Sequence, residues 1–414
     1  MRVGVSLKQT FRLEQCLARI VDNRGRTPPL AEEGVELIEI NALEEGSKFP
    51  DFERIRKFVS EETYSSWFRS GHPKLGDTLI STVGAIGRVA FVHKERGCIA
   101  QNIIALRPKP DMLEGEFLFY YLASKETQQR LMNLNIGVAQ PSLKVPHLLS
   151  LDIELPSLPI QRRIASILSV YDELIENNQR RIRILEEMAR SLYREWFVHF
   201  RYPGHESITL VDSQLGQIPQ GWMVKPAPDC IAINPRVTVP RDGEKPFVPM
   251  GCLSNDSMLI SDIESRSGNS GAKFQNGDTL FARITPCLEN GKTGFVQFLS
   301  DSQDVAFGST EFIVLRSQTL TPEFVYCLAR SDEFRNVAIK SMSGATGRQR
   351  VQEACFDAFL IAQPPHELLD RFTEIVAPSF RLIYSLHHQT ENLRRTRDLL
   401  LPRLLSGQVN LEES

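Results

Sequence analysis

The sequence predicts an α+β protein built twice: two similar mixed α/β domains separated by a pair of long helices that pack antiparallel as a coiled coil. Three observations carry that prediction. The tetrapeptide Gly-Asp-Thr-Leu stands at residues 76–79 and again at 277–280. The segments that follow it recur in the same order in both places. Two stretches of about 39 residues, one after each of these regions, keep a 3,4 apolar spacing that suits a helical seam.

Length and composition leave room for this. A chain of 414 residues is longer than the ~250–300 residues at which single cores stop growing. Hydrophobic residues at 42% and charged residues at 24% are ordinary for a globular protein, and no apolar run reaches the ~18 residues of a membrane span. The opening "MRVGVSLKQTFRLEQCLARI" breaks its apolar residues with charges, unlike a secretory signal, so a cytoplasmic location is expected. The seven cysteines contain no Cys-x-x-Cys pair and read as free thiols rather than zinc ligands or a redox couple. A net charge of -3 argues against an indiscriminate polyanion binder, although a basic face can be balanced by acid elsewhere.

The first domain is expected over residues 1–155 and the second over 201–362. In the first, "TLISTVGAIGRVAFV" and "CIAQNIIALRP" read as β-branched strands, "GEFLFYYLASKETQQRL" as a helix, "NIGVAQPSLKVPHL" as a polar loop and "LDIELPSLP" as a closing strand. The second repeats the order with "TLFARITPCLENGKTGFVQF", "STEFIVLRS", "PEFVYCLARSDEFRNV", "MSGATGRQRVQEACF" and "FLIAQPP". Gly-Asp in the shared tetrapeptide is a turn feeding a strand, so Asp77 and Asp278 serve turn geometry rather than acid-base chemistry.

The long helices are expected over residues 156–200 and 363–414. In the first, Ile164, Ile167, Tyr171, Leu174, Asn178, Arg181, Leu185, Met188 and Leu192 keep the seam spacing. In the second, Leu369, Phe372, Val376, Ser379, Ile383, Leu386, Thr390, Leu393, Arg397, Leu400 and Leu404 do so. At 1.5 Å per residue each runs roughly 58 Å, longer than a domain of that size is wide. Pro378 lacks an N–H and crowds the preceding turn, so a kink or break is expected there, with a second disturbance near Pro402 and a stop at Gly407. Two such helices most economically bury their seams against each other, within one chain or between two.

Motifs of catalysis are missing. "INPRV" at residues 233–237 lacks the second proline and the aromatic of the Asn/Asp-Pro-Pro-aromatic motif that holds an amine for methylation, and reads as a loop. No Gly-x-Gly-x-x-Gly or Gly-x-x-x-x-Gly-Lys-Ser/Thr phosphate loop is present, nor His-Glu-x-x-His. His387 and His388 adjoin and therefore point from different faces of a helix. These absences leave no recognisable methyl-transfer, nucleotide-binding or zinc-hydrolase motif, and only a nuclease site built from dispersed Asp, Glu and Lys escapes such a search.

The order of domain, helix, domain, helix, with "LPSLPIQRRIASIL", "LYREWFVHF", "GQIPQGW" and "DLLLPRLLSG" at the joints, resembles the specificity subunit of a Type I restriction-modification system over essentially the whole chain. "VDNRGRTPP" is also similar to the start of some first target-recognition domains in that family. The resemblance implies a noncatalytic reader of double-stranded DNA in which each domain recognises one half of an asymmetric bipartite site and the helices set the spacer. It implies two modification subunits bound to this scaffold and two restriction subunits able to join. S-adenosylmethionine, ATP and magnesium would belong to those partners, leaving no cofactor in this chain.

Two readers on one spacer meet the same groove about one helical turn, ~34 Å, apart. Arginine fits guanine bidentately, and asparagine or glutamine fits adenine. Polar loops therefore supply the expected contacts. In the first domain they are Asn23, Arg24, Arg26, Thr82, Arg88, Gln101, Asn102, Gln140 and Ser142. In the second they are Arg283, Thr285, Lys292, Thr346, Arg348, Gln349 and Arg350. Ile175 and Ile182 lie off the seam and are expected to meet partner subunits, whereas Trp196 and Phe197 are expected to pack on a domain. Two other readings compete. A self-contained methyltransferase would transfer methyl groups as the isolated chain, and a coiled-coil adaptor would show no sequence-selective DNA binding in its assembled complex.

Overall fold

The computed structural model describes residues 8–135, 141–301, 304–345, 347–409 and 411. The chain divides into two compact units, Met1–Glu176 with Glu391–Ser414, and Asn177–Thr390. Each unit therefore holds one sheet-bearing domain and a segment of both long helices.

In the first unit a four-stranded sheet has the order Leu17–Val21, Ile103–Pro108, Thr78–Ser81, Val89–Phe91, antiparallel throughout. The second unit repeats it with Ile231–Ile233, Phe312–Ser317, Thr279–Ala282 and Thr293–Phe295. Successive strand residues point to opposite faces, and each sheet separates two cores on that alternation. Ile80, Ile104 and Leu106 join one core while Leu79, Ile103 and Ala105 join the other. In the second unit Phe281, Ile313 and Leu315 part in the same way from Leu280, Phe312 and Val314.

A smaller sheet lies on one side of each. In the first unit Val35–Ile38 runs parallel to Cys98–Ile99 and antiparallel to Phe58–Val59. In the second, Lys245–Val248 runs parallel to Ala306–Gly308, flanked by Glu264–Arg266 and Ala272–Phe274. The start of each domain pairs with its end: Gln9–Arg12 with Asp152–Leu155, and Met223–Pro226 with Leu360–Gln363. The segment "GQIPQGW" forms a hairpin, Leu210–Ser213 with Gly216–Pro219, and leads Trp222 into an aromatic core with Phe197, Phe324 and Phe372.

The aromatic segment after the main sheet is two helices rather than one. Gly115–Ala123 is followed by Lys125–Asn133, and Pro322–Arg330 by Asp332–Lys340. The break falls on Ser124 and on Ser331, both extended, each accepting a hydrogen bond from the N–H three residues on. Serine competes with the helical backbone in this way and caps the following helix.

The first long helix, Leu158–Tyr193, continues as a π-helical turn over Arg194–Val198. The second runs His366–Ser406 without a break at Pro378 or Pro402. A helical proline costs about 3 kcal/mol. Phe372, Val376, Phe380 and Ile383, all fully buried around Pro378, outweigh it, since each contributes about 1.5–3 kcal/mol. Gly407 ends the helix with φ of 79°, its N–H donating to the Leu404 carbonyl and that of Gln408 to Arg403, the paired bonds of a left-handed C-cap.

Within each unit the two helices run antiparallel in one chain. In the second unit Asn178 Nδ2 donates to Gln389 Oε1 at 3.1 Å, while Trp196 meets Phe372 at the other end. In the first, Arg397 pairs with Asp172, and Leu404 packs in one core with Ile164 and Leu168. The buried face of the first helix differs from the expected seam. Leu174 and Met188 are 47% and 61% exposed, whereas Ile175 and Ile182, expected to face outward, are 5% and 7% exposed. Polar side chains caused the discrepancy. Asp172 accepts from Tyr120 and Arg397, and Glu186 accepts from the Ser257 hydroxyl and the Met258 N–H. Counting apolar residues penalises this face, although its polar groups are satisfied on burial.

Candidate nucleic-acid interface

The shared tetrapeptide anchors the loops that differ. Asp77 accepts from the Lys74 N–H and takes both Nε and Nη2 of Arg107 at 2.8 and 2.7 Å. Asp278 repeats this with the Gln275 N–H and Arg316, at 2.7 and 2.6 Å. Both aspartates are turn residues, as expected, and each is also the buried half of an ion pair that ties the entering strand to its neighbour. No feature of the tetrapeptide announces the arginines. They become visible only when "IALR" is aligned with "IVLR" in the following strand.

Beyond this anchor three backbone segments meet in each unit, in the same pattern. In the first, the Thr82 N–H donates to Asn102 O, Leu143 N–H to Thr82 O, and Gly84 N–H to Pro141 O. In the second, the Arg283 N–H donates to Glu311 O, Val351 N–H to Arg283 O, and Thr285 N–H to Gln349 O. Val83 bridges Ser142 as Ile284 bridges Arg350. The match makes Thr82, Asn102 and Ser142 the structural counterparts of Arg283, Glu311 and Arg350. One scaffold therefore carries a neutral polar set in one unit and a charged set in the other.

The expected contact residues fall into groups. Several are spent on holding loops. Asn23 is buried, its amide donating to Gly71 O and accepting from Ser70 N. Arg24 pairs with Asp22, whose carboxyl this arginine holds below the usual carboxylate range. Thr82 is buried against Asn102, and Asn102 Oδ1 is buried with no hydrogen-bond partner among the described residues. Arg88 reaches Leu43 O, and Lys292 reaches Met250 O. Thr285 Oγ1 accepts from the Gln349 N–H. Arg283 gives Nη1 to Glu353 and Nη2 to Val351 O.

A second group is presented outward. Arg26, Gln101, Arg348 and Arg350 are exposed, and Ser142 and Gln349 half-buried. Gln140 and Thr346 lie outside the described residues. The structure thus gathers Thr82, Asn102 and Ser142 at one junction and Arg283, Thr285, Gln349 and Arg350 at the other. It leaves Arg24 and Arg26 on a separate loop pinned to Ser70 and Gly71.

Two acidic residues were absent from the sequence reading. Glu311 holds Arg350 through Nε at 3.0 and 2.9 Å and Nη2 at 2.6 Å, and this arginine keeps its carboxyl below the usual range. Glu353 accepts from both Arg283 and Asn234. Glu311 falls opposite Asn102 once "LR" is aligned with "LR", so the signal was present in the repeat. Among the described residues no set of three or more metal-ligating side chains converges, and no helix is long and apolar enough to cross a membrane.

The paired domains thus share a scaffold and diverge at their polar junctions. Residues 72–187 match the family model described as the Type I restriction modification DNA specificity domain. The chain is 26% identical over 352 residues to the Type I restriction enzyme MjaIX specificity subunit of Methanocaldococcus jannaschii, covering 82% of this chain and 78% of that one. It is 21% identical over 402 residues to the HindI specificity subunit of Haemophilus influenzae, covering 81% and 87%. Its fold is shared with the crystal structure of the Type I restriction-modification S subunit from M. genitalium, at a TM-score of 0.58 and 15% identity over 98% of this chain and 97% of that one. Over most of its length the chain is similar to specificity subunits of Type I restriction-modification systems, and residues 72–187 match the DNA specificity domain of that family.

Proposed function

We propose that each unit reads one half of an asymmetric bipartite site in double-stranded DNA. The observation that carries this is the duplicated junction: the same backbone pattern is built from Thr82, Asn102 and Ser142 in one unit and from Arg283, Glu311 and Arg350 in the other. Identical scaffolds with different side chains favour different half-sites. Arg26, Gln101, Ser142 and Gln140 contact DNA in the first unit, and Arg348, Gln349, Arg350 and Thr346 in the second. Asn23, Arg24, Thr82, Arg88, Asn102, Arg283, Thr285 and Lys292 shape the loops that carry them.

The helices set the spacer and carry two modification subunits, with two restriction subunits joining. S-adenosylmethionine, ATP and magnesium are held by those partners. Exposed apolar pairs one helical turn apart on the first long helix, Val170 with Leu174 and Ile184 with Met188, suit the modification subunits better than the buried Ile175 and Ile182. Sequencing the methylome of cells with and without this gene, with its modification partner expressed, tests the reading. A bipartite asymmetric methylated motif should appear only with the gene. A contiguous motif, or none, refutes it.

A further inference from the structure

We infer that Glu311 is a specificity-determining positioning residue, which makes Arg350 a guanine reader by occupying one edge of its guanidinium and leaving the other for the base. This rests on the proposed half-site reading and extends it to a residue that touches no base in its own right.

Guanidinium geometry carries the argument. Arginine has five N–H donors in a planar fork. Glu311 takes Nε and one Nη2 hydrogen, side-on, at 2.6–3.0 Å. That leaves the Nη1 and remaining Nη2 hydrogens side by side at the end of the group, the arrangement that matches guanine O6 and N7. Arg350 is 47% exposed while Glu311 is 21% exposed, so the carboxylate sits on the protein side of the pair. A guanidinium already neutralised and fixed in plane gains less from a phosphate and loses less freedom on meeting a base.

The two neighbouring arginines lack this arrangement. Arg283 has both Nη atoms engaged, Nη1 on Glu353 and Nη2 on the Val351 carbonyl, and its Nε is buried, so it clamps the loop. Arg348 is exposed with no carboxylate partner among the described residues, which suits a phosphate contact. The counterpart of the Arg350 and Glu311 pair in the first unit is Ser142 and Asn102. Reader and support thus differ together between the two copies, as a functional pair should.

The test uses the complete modification complex in cells, with methylation scored at the wild-type motif and at all its single-base variants. R350A and R350K should each relax a single position of the second half-site from guanine, lowering discrimination there by roughly tenfold to a hundredfold. E311Q and E311A should relax that same position by several-fold and no other. R348A should keep the motif but weaken binding by the purified complex to all sequences, lowering the salt slope by about one.

If E311Q and E311A keep the motif as sharp as wild type while R350A relaxes it, Arg350 reads unaided and the inference falls. If R350K retains full discrimination, the fork is not the reading element, a conclusion independent of whether the Glu311 variants fold. If R350A weakens all sequences alike and reduces the salt slope, Arg350 is a phosphate contact and the inference again falls. Absence of any bipartite motif with the wild-type chain would instead remove the half-site reading beneath it.

Discussion

The repeated ion pair makes a prediction whose sign is set by burial. The carboxylates of Asp77 and Asp278 are each 1% exposed, while their partners Arg107 and Arg316 are 22% and 28% exposed. Removing the arginine leaves a charge with no route to water. Removing the aspartate leaves a guanidinium that can still reach solvent. Arg107→Met and Arg316→Met should therefore each cost about 3–5 kcal/mol, the range for breaking a buried pair. Asp77→Asn and Asp278→Asn should cost about 1–3 kcal/mol, because the amide oxygen still accepts from the Lys74 or Gln275 N–H.

At ~2–4 °C per kcal/mol for units of this size, the arginine variants should melt about 6–20 °C below wild type and the asparagine variants about 2–12 °C below. Scanning calorimetry of the four variants at pH 7 checks this, each unit serving as control for the other. Asparagine variants that melt as low as or lower than the arginine variants in both units would refute the burial argument.

Further outcomes follow from the helices and their buried groups. Burial pushes the Glu186 carboxyl above its ordinary value, so its contribution is greatest below about pH 4.3 and is lost as pH rises through the raised folded value. Glu186→Gln should flatten the stability profile between pH 4 and 7 in denaturant titrations, and an unchanged slope would contradict it. Ile182→Ala should cost about 2–4 kcal/mol in thermal melts as a buried deletion, whereas Leu174→Ser and Met188→Ser should stay within ~0.5 kcal/mol. The same two serine variants should weaken co-purification with the modification subunit.

Much of the fold was legible in the sequence because it is stated twice. Order, strand alternation and the Gly-Asp turn recur in both halves, and agreement between copies separates signal from coincidence. The second helix seam and its Gly407 stop were also legible, since Phe372, Val376, Ile383 and Leu386 are apolar and buried alike. The first helix misled because its buried face carries Asp172 and Glu186. Pairing partners for those groups come from distant segments, Arg397 and Ser257, that a local pattern cannot contain.

For the interface, sequence alone determined which loops differ and which residue types they hold. Tertiary structure decided which side chains are spent and which are presented. Arg283 and Arg350 look alike in sequence, yet one fork is closed by Glu353 and Val351 O and the other is left open by a side-on Glu311. A guanidinium's function depends on which of its edges is occupied, and that is fixed by groups 39 to 70 residues away in the chain. The sequence determined the duplicated scaffold and its joints; the donors left over for DNA were decided by folding, which spends hydrogen bonds locally before any remain for a partner.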